Sequence, residues 1–157
     1  MMMEMDAGRL LRDGRWLCIQ AEQCIGRRLA STGLTAAQAQ ILLCLLDRDG
    51  QGTLLTEIHR AFGYSMATLS SMVKRLREKG YIRVERCKED DRRRLLFATE
   101  AARRLRPTLE ATIQGVHSQL YHGFSQKELF TLDRLQRKLL QNLSALTAQH
   151  QKEESKS

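Results

Sequence analysis

The sequence contains little proline, few aromatic residues and no long hydrophobic run. Its 157 residues include one proline and ten glycines, too few turn-forming residues for a sandwich of many short strands, so we expect long helices. The longest uninterrupted apolar run extends from Ile41 to Leu46. This run is far shorter than the roughly 18 residues that cross a bilayer, which excludes a transmembrane protein. Residues 1–13 lack the apolar core of a signal peptide, so we expect a cytoplasmic protein.

The residue clusters that carry chemistry are also missing. The four cysteines, at positions 18, 24, 44 and 87, form no C-x-x-C pair, so neither a disulfide framework nor structural zinc is expected. No two histidines have the i, i+4 spacing of a helical zinc site. The sequence contains no Gly-rich phosphate loop, paired carboxylate motif or nucleophile elbow. We therefore expect a protein that is not an enzyme and binds no metal or cofactor.

Positive charge is concentrated in one third of the chain. Residues 53–107 hold 14 of the 26 Lys and Arg residues and 7 of the 18 Asp and Glu residues, a net charge of +7, whereas the other residues hold 12 and 11, a net charge of +1. A local basic field is typical of a surface that binds a polyanion, which favours a nucleic acid as partner. A solvated Lys/Arg face that only confers solubility would give the same excess.

Apolar residues recur at helical spacing along most of the chain. Leu10, Leu17 and Cys24 repeat every seven residues and predict an N-terminal helix. Two segments of the form Ser/Thr-x-x-Glu/Gln, Thr35–Gln38 and Ser125–Glu128, are capping boxes, and each predicts the start of another helix.

The middle of the chain predicts two short helices joined by a tight turn. The first extends over Leu54–Phe62 and the second over Ser65–Lys79, with Gly63 and Tyr64 between them and Gly80 as the stop signal. One face of the second helix is apolar, and the other carries small, hydroxylic and basic residues. This pattern predicts a helix-turn-helix whose second helix could enter a major groove, although an ordinary amphipathic helix pair would show it too.

Two predicted strands follow the helix pair. Residues 81–87 alternate, with Ile82 and Val84 facing away from Arg83, and residues 95–99 form a second apolar stretch of strand length. The segment Lys88–Arg94 between them is entirely charged, so we expect it to project as a hairpin tip. A helix-turn-helix followed by a basic hairpin is a winged helix.

Over about residues 10–145 the sequence resembles the MarR family of bacterial transcription regulators. Leu34-Thr35 with Gln38 resembles the opening of the family's second helix, and residues 76–82 resemble the exit of its recognition helix into the wing. Asp90-x-Arg92 followed by Thr99 resembles its wing signature. The resemblance implies that Arg92 enters the minor groove and that Asp90 orients it. Such a groove has a strongly negative potential, which favours a guanidinium group.

This chain departs from the family pattern at a few positions. Ala98 and Ala102 replace a leucine and a glycine around Thr99. Ser71 stands where many members carry an arginine, so base readout would either be lighter or shift to Arg75. The residues expected to bind DNA are Thr68, Ser70, Ser71, Lys74, Arg75, Arg77, Lys79, Asp90, Arg92, Arg93 and Arg94.

We expect a mainly α protein with a small β-wing, in which a winged helix-turn-helix is joined to a helical dimerisation region. Residues 1–33 would form a dimerisation helix, 34–99 the DNA-binding region, 100–150 the C-terminal dimerisation helices and 151–157 a disordered tail. The C-terminal helices would start at Thr99, with a kink or restart at Pro107, and pair in a two-fold homodimer. A lone coiled-coil segment is the alternative.

The expected function is a repressor that a small aromatic or amphipathic effector releases from a pseudo-palindromic operator. The resemblance places such effectors between the dimer and wing regions, where Trp16, Tyr121 and Phe124 could line a pocket. Two alternatives stay open. One is a dimeric scaffold that binds an acidic protein; the other is a thiol-oxidation sensor at Cys87, which has cationic neighbours. The other cysteines lie on apolar stripes and are expected to pack in the core.

Overall fold

The computed structural model describes residues 5–48 and 50–156, which form α-helices and a small antiparallel sheet. The helices are α1 (Ala7–Arg28), α2 (Ala36–Asp47), α3 (Leu55–Phe62), α4 (Met66–Glu78), α5 (Glu100–Leu120) and α6 (Gln126–Glu154), and the strands are β1 (Thr53–Leu54), β2 (Ile82–Arg86) and β3 (Arg94–Ala98). The chain divides into two compact units, one ending at Ser118 and the other beginning at Gln119. The mainly helical fold with a β-wing is confirmed.

Side-chain caps fix where several helices begin. In the Thr35–Gln38 box, the Thr35 hydroxyl accepts from the Gln38 amide at 3.2 Å and the Gln38 side chain accepts from the Thr35 amide at 3.0 Å. The Ser125–Glu128 box has the same reciprocal pair, at 3.1 and 2.7 Å. Each box satisfies amide groups that have no partner within the helix, so both predicted helix starts are confirmed.

Helix α4 has matched signals at both ends. The Ser65 hydroxyl caps its first turn by accepting from the Thr68 amide at 3.1 Å. At the other end Gly80 has φ +80°, and the amides of Gly80 and Tyr81 donate to the carbonyls of Arg77 and Leu76, both at 3.0 Å. This is the Schellman arrangement, in which glycine takes the left-handed conformation that ends a helix. The predicted stop at Gly80 is confirmed.

The sheet has the strand order β1-β3-β2. Strands β2 and β3 pair in antiparallel register from Ile82 with Ala98 to Arg86 with Arg94, which confirms the predicted hairpin. Strand β1 was not predicted. It is two residues long and pairs with Leu95 and Leu96, so Leu54 belongs to the sheet and α3 begins one residue later than expected.

The core of the first unit lies between α2, the helix-turn-helix and the sheet. Seven of the twelve α2 residues are buried, and apolar residues from each neighbouring element reach the same cluster. Its fully buried side chains are Ile25, Leu29, Ile41, Leu42, Ile58, Leu69, Leu76, Leu96 and Leu109. Because this cluster packs against one side of α4, the other side of the helix faces solvent.

Three expectations need correction. Helix α5 continues through Pro107 without a restart, although proline lacks the amide that would bond one turn back. Helix α6 extends to Glu154, so residues 151–154 are helical and the expected tail begins too early. Cys18 is exposed, not in the core, whereas Cys24 and Cys44 are half-buried.

Only part of the apolar stripe predicted for α1 is buried. Ile25 and Leu29 near its end are buried, but Leu10 and Leu17 in its first half are exposed. Helix α6 buries none of its residues. Among the described residues, no helix has both the length and the hydropathy needed to cross a membrane.

Candidate nucleic-acid interface

The outer face of α4 carries the polar residues predicted to read DNA. Leu69 and Leu76 are fully buried and anchor the helix in the core. Opposite them, the six predicted α4 residues are all exposed: Thr68, Ser70, Ser71, Lys74, Arg75 and Arg77. The 3.6-residue period therefore separates the buried face from an exposed polar and basic face, as the sequence pattern predicts.

The first turn of α4 orients one of these hydroxyl groups. The Ser65 hydroxyl donates to the Thr68 hydroxyl oxygen at 2.8 Å, while the same Ser65 oxygen accepts from the Thr68 amide. Because the Thr68 oxygen accepts this bond, its own proton stays available to a base or a phosphate.

The wing tip is a closed turn built by its own backbone and one carboxylate. The Cys87 amide donates to the Arg93 carbonyl, and the Arg93 amide donates to the Asp90 carbonyl, both at 3.0 Å. The Asp90 carboxylate accepts from the Arg92 amide at 3.0 Å. Asp90 thus holds the backbone of Arg92 and leaves its guanidinium exposed. The guanidinium of Arg94 donates to the Asp91 carbonyl at 2.7 Å.

Two cations of α4 and one cation of the wing lie around one cavity. Lys74 and Arg77 of α4 and Arg94 of the wing line the same cavity, of about 300 Å³, with Leu55 and Leu96 among its apolar wall residues. A rigid polyanion that contacts α4 therefore also comes within reach of the wing.

Acidic partners neutralise cations elsewhere in the first unit but not on this surface. Ion pairs join Arg48 to Glu57 and Arg83 to Glu85, and Arg106 contacts both Asp47 and Glu110. The hydrogen bonds that Arg106 donates to the Glu110 and Asp47 carboxylates raise its pKa. Among the residues that the structure describes, none of the predicted DNA-binding lysines and arginines has a carboxylate within 4 Å. Their charge is left for an external anion.

Lys79 has a partner that the sequence did not predict. Its ammonium group donates to the carbonyl of Gly33, in the connection between α1 and α2. An ammonium group has three donors, so the bond ties the end of α4 to that connection and leaves Lys79 able to bind a phosphate.

The residues of the expected effector pocket are exposed within their own units. Trp16 lies on α1 in the first unit and is 63% exposed. Tyr121 and Phe124 lie in the second unit, where their rings meet edge to face with centroids 5.9 Å apart.

Cys87 is half-buried at the end of β2 and lines a cavity of about 500 Å³ beside Arg86 and Arg93. Burial raises the pKa of the Cys44 thiol, which disfavours a reactive thiolate there.

Sequence reasoning missed a contact beside the recognition helix. The Tyr64 hydroxyl donates to the Glu22 carboxylate at 2.8 Å, and both residues are half-buried. Burial, and then this hydrogen bond, raise the pKa of Tyr64. The two residues are 42 positions apart, so no local spacing signals the contact.

Comparison with known proteins agrees with this geometry. A model of the MarR family matches residues 32–93, which include α2, α3, α4 and most of the wing. The fold is similar to the S. aureus MepR–DNA complex, with a TM-score of 0.76 and 20% identity, covering 88% of this chain and 99% of that one.

Two further structures show the same fold. CouR from Rhodococcus jostii RHA1, bound to p-coumaroyl-CoA, matches with a TM-score of 0.68 and 22% identity over 88% of this chain and 91% of its own. Wild-type MarR from E. coli, in its apo form, matches with a TM-score of 0.64 and 21% identity over 88% and 98%. At these identities the likeness establishes the winged-helix fold.

Proposed function

We propose that this chain, whose residues 32–93 match a model of the MarR family, is a dimeric transcriptional regulator that binds duplex DNA. Helix α4 enters a major groove and Arg92 at the wing tip enters the adjacent minor groove. One observation carries this proposal: Lys74 and Arg77 of α4 and Arg94 of the wing are exposed, line one cavity and have no carboxylate partners among the described residues. A groove-binding helix flanked by phosphate-binding cations has this arrangement.

The exposed residues divide into two roles. Lys74, Arg77, Lys79, Arg93 and Arg94 contact phosphates, supply most of the binding free energy and make it salt-dependent. Thr68, Ser70, Ser71 and Arg75 contact base edges and supply discrimination. MepR is a relative seen with DNA, which supports DNA as the partner.

Exposed apolar residues on α1 and α6 support a homodimer. On α6, Leu132, Leu135, Leu139, Leu143 and Leu146 recur at helical spacing and are all solvent-exposed. A helix of this length normally depends on packing one apolar face. In a two-fold dimer the two copies of α4 lie about 34 Å apart, so the operator is a pseudo-palindrome with half-sites one turn apart.

We further propose that the regulator is a repressor and that a small aromatic or amphipathic effector releases it from DNA. Trp16, Tyr121 and Phe124 are the candidate contacts, because they present exposed rings. CouR is a similar fold that holds p-coumaroyl-CoA. Suppose that the dimer has two conformations and that only one spaces the α4 helices correctly for DNA. An effector that binds better to the other conformation would raise its population and so lower the affinity for DNA.

Selection from a random-sequence duplex pool tests DNA binding directly. We expect the protein to enrich a pseudo-palindrome, and to lose about 10³-fold or more in affinity for it between 50 and 200 mM salt, as expected for six or more phosphate contacts. A scaffold for an acidic protein would enrich no sequence, and unrelated duplex would not displace its partner. That result would contradict the proposed function.

A further inference from the structure

We propose that Tyr64 is a positioning residue for α4, and that its hydrogen bond to Glu22 sets the angle at which α4 meets the major groove. This inference rests on the proposed function and adds to it a residue that determines specificity without touching DNA.

Tyr64 is attached on three sides. Its hydroxyl donates to Glu22 at 2.8 Å, and its carbonyl accepts from Nδ1 of His59 at 2.6 Å. Because a carbonyl can only accept, the proton of that bond lies on Nδ1. Its ring is stacked with that of Phe62, with 6.3 Å between centroids and 23° between planes. Three independent contacts therefore fix the residue that immediately precedes Ser65, the N-cap of α4.

Glu22 is a firm anchor because it lies on α1 just before the part of that helix that enters the core. Ile25 on α1 and Leu29, which immediately follows α1, come after it in the chain and are fully buried. The bond between the Tyr64 hydroxyl and the Glu22 carboxylate is charge-assisted and half-shielded from water, and such bonds are stronger than bonds between neutral groups. The raised pKa of Tyr64 keeps its hydroxyl protonated as the donor.

The length of α4 amplifies any change at its first residue. Arg75 lies ten residues after Ser65, about 15 Å along the helix axis. A rotation of about 10° at the turn would therefore move Arg75 by about 2.5 Å, which is enough to break a hydrogen bond to a base edge. Lysine and arginine contacts to phosphates tolerate this movement better, because their side chains are long and the charge is not directional. Loss of the Tyr64–Glu22 bond should lower specificity more than general affinity.

The test compares two duplexes of equal length: the one that the wild-type protein enriches from a random pool, and an unselected one. Tyr64→Phe removes only the hydroxyl, and Glu22→Ala removes the side chain that accepts from it. We expect each variant to bind the selected duplex about tenfold more weakly, as for a charge-assisted hydrogen bond, with less than about a twofold change on the unselected duplex. The double variant should be no weaker than either single one.

Two variants serve as controls. Glu22→Gln keeps an oxygen acceptor for Tyr64 and should restore most of the discrimination. Tyr81→Phe makes the same chemical change at the other end of α4, where the structure shows no hydrogen bond from the hydroxyl among the described residues, and should bind both duplexes as the wild type does. Ultraviolet titration provides a readout without DNA: Glu22→Ala should lower the pKa of Tyr64 toward that of a free phenol, and Tyr64→Phe identifies its signal.

The outcomes separate the two proposals. If the wild type enriches no duplex, the proposed function fails and this inference fails with it. If the wild type enriches a duplex but Tyr64→Phe keeps full discrimination, only the positioning role is wrong. An equal loss on both duplexes would also overturn it, because that result indicates general weakening of the fold.

Discussion

The guanidinium of Arg92 is exposed while its backbone is held by Asp90. The family resemblance implies that the aspartate orients the arginine, and the structure shows a bond to the main chain, not to the guanidinium. The side chain is thus presented by a fixed turn and keeps its donors for DNA. An arginine in a narrow minor groove gains from its negative potential without needing a specific base.

Replacing Arg92 by alanine should weaken binding to the selected duplex by about 1.5–3 kcal/mol, the range for a hydrogen bond made by a charged group. The free energy of unfolding should not change, because the side chain is exposed. A gel-shift titration measures the first quantity and urea unfolding the second. Arg104→Ala removes the same charge from an exposed position on α5 and should have a smaller effect. Equal effects of the two variants would remove Arg92 from the mechanism.

Two substitutions of Asp90 distinguish the effect of the turn's geometry from the effect of the carboxylate charge. Asp90→Asn retains an oxygen that accepts from the Arg92 amide, whereas Asp90→Ala removes it. If the turn presents Arg92, the asparagine variant should bind DNA at least as tightly as the wild type and the alanine variant more weakly. Equal weakening in both variants would show that the carboxylate charge matters instead.

The placement of a residue could be predicted where nearby sequence determines it. It could not be predicted where it depends on a contact between distant parts of the chain. The exposed α4 residues follow from helical spacing, and Arg92 follows from a wing motif of three residues. Tyr64 and Glu22 come together only because α1 packs beside the turn, and the bond from Lys79 to Gly33 joins residues 46 positions apart. No sequence pattern contains either contact.

At the scale of elements, helix ends were predictable because a few adjacent residues determine them. The capping boxes and the Schellman end of α4 are local hydrogen-bond patterns, and each occurs where the sequence indicates. Strand β1 was missed because two residues show no periodicity, and its partner strand begins about 40 residues later. Helix α5 shows the opposite case, since the helix continues through Pro107 although the local sequence allowed a restart there.

The connection before β1 approaches the sheet closely at Gly52. This residue has φ +69°, and a Cβ atom there would lie 2.7 Å from Cζ of Phe97. The Phe97 ring cannot easily yield, because the guanidinium of Arg83 lies 4.6 Å from its centroid. Gly50 in the same connection has φ +76° and no atom within 4 Å of the same position.

We therefore expect Gly52→Ala to lower the free energy of unfolding more than Gly50→Ala. Both variants carry the left-handed backbone cost of about 1–2 kcal/mol, and only Gly52→Ala adds a clash, worth about 1–3 kcal/mol in a packed site. Urea unfolding of the two variants measures the difference. Equal destabilisation would mean that the Phe97 ring moves aside without cost.

At the scale of the whole molecule, charge and apolar surface are assigned to different elements. Much of the basic excess falls on α4 and the wing, and most of the exposed leucines fall on α6, which buries none of its residues in one chain. The fold class followed from the sequence, since each element has its own periodicity. Pairing between two chains cannot be derived from one chain, and stays a proposal that rests on the uncovered face of α6.

Substituting Leu139 and Leu143 by glutamate tests that pairing. Both side chains are more than half exposed, so the single chain should stay folded by circular dichroism, but each dimer would lose four buried leucines, at about 1.5 kcal/mol or more apiece. We expect a monomer by analytical ultracentrifugation. Its affinity for the selected duplex should fall by about 10²–10⁴-fold, because binding one half-site no longer brings the second reading helix to the other.

Gln141→Glu introduces the same charge on the opposite face of α6 and should leave the protein dimeric and its DNA affinity unchanged. If the double leucine variant sediments as a dimer, α6 does not form the interface, and the exposed apolar face of α1 would have to supply it alone. If it is monomeric but binds the duplex with full affinity, each chain reads its site independently, and the predicted spacing of about 34 Å between half-sites has no role.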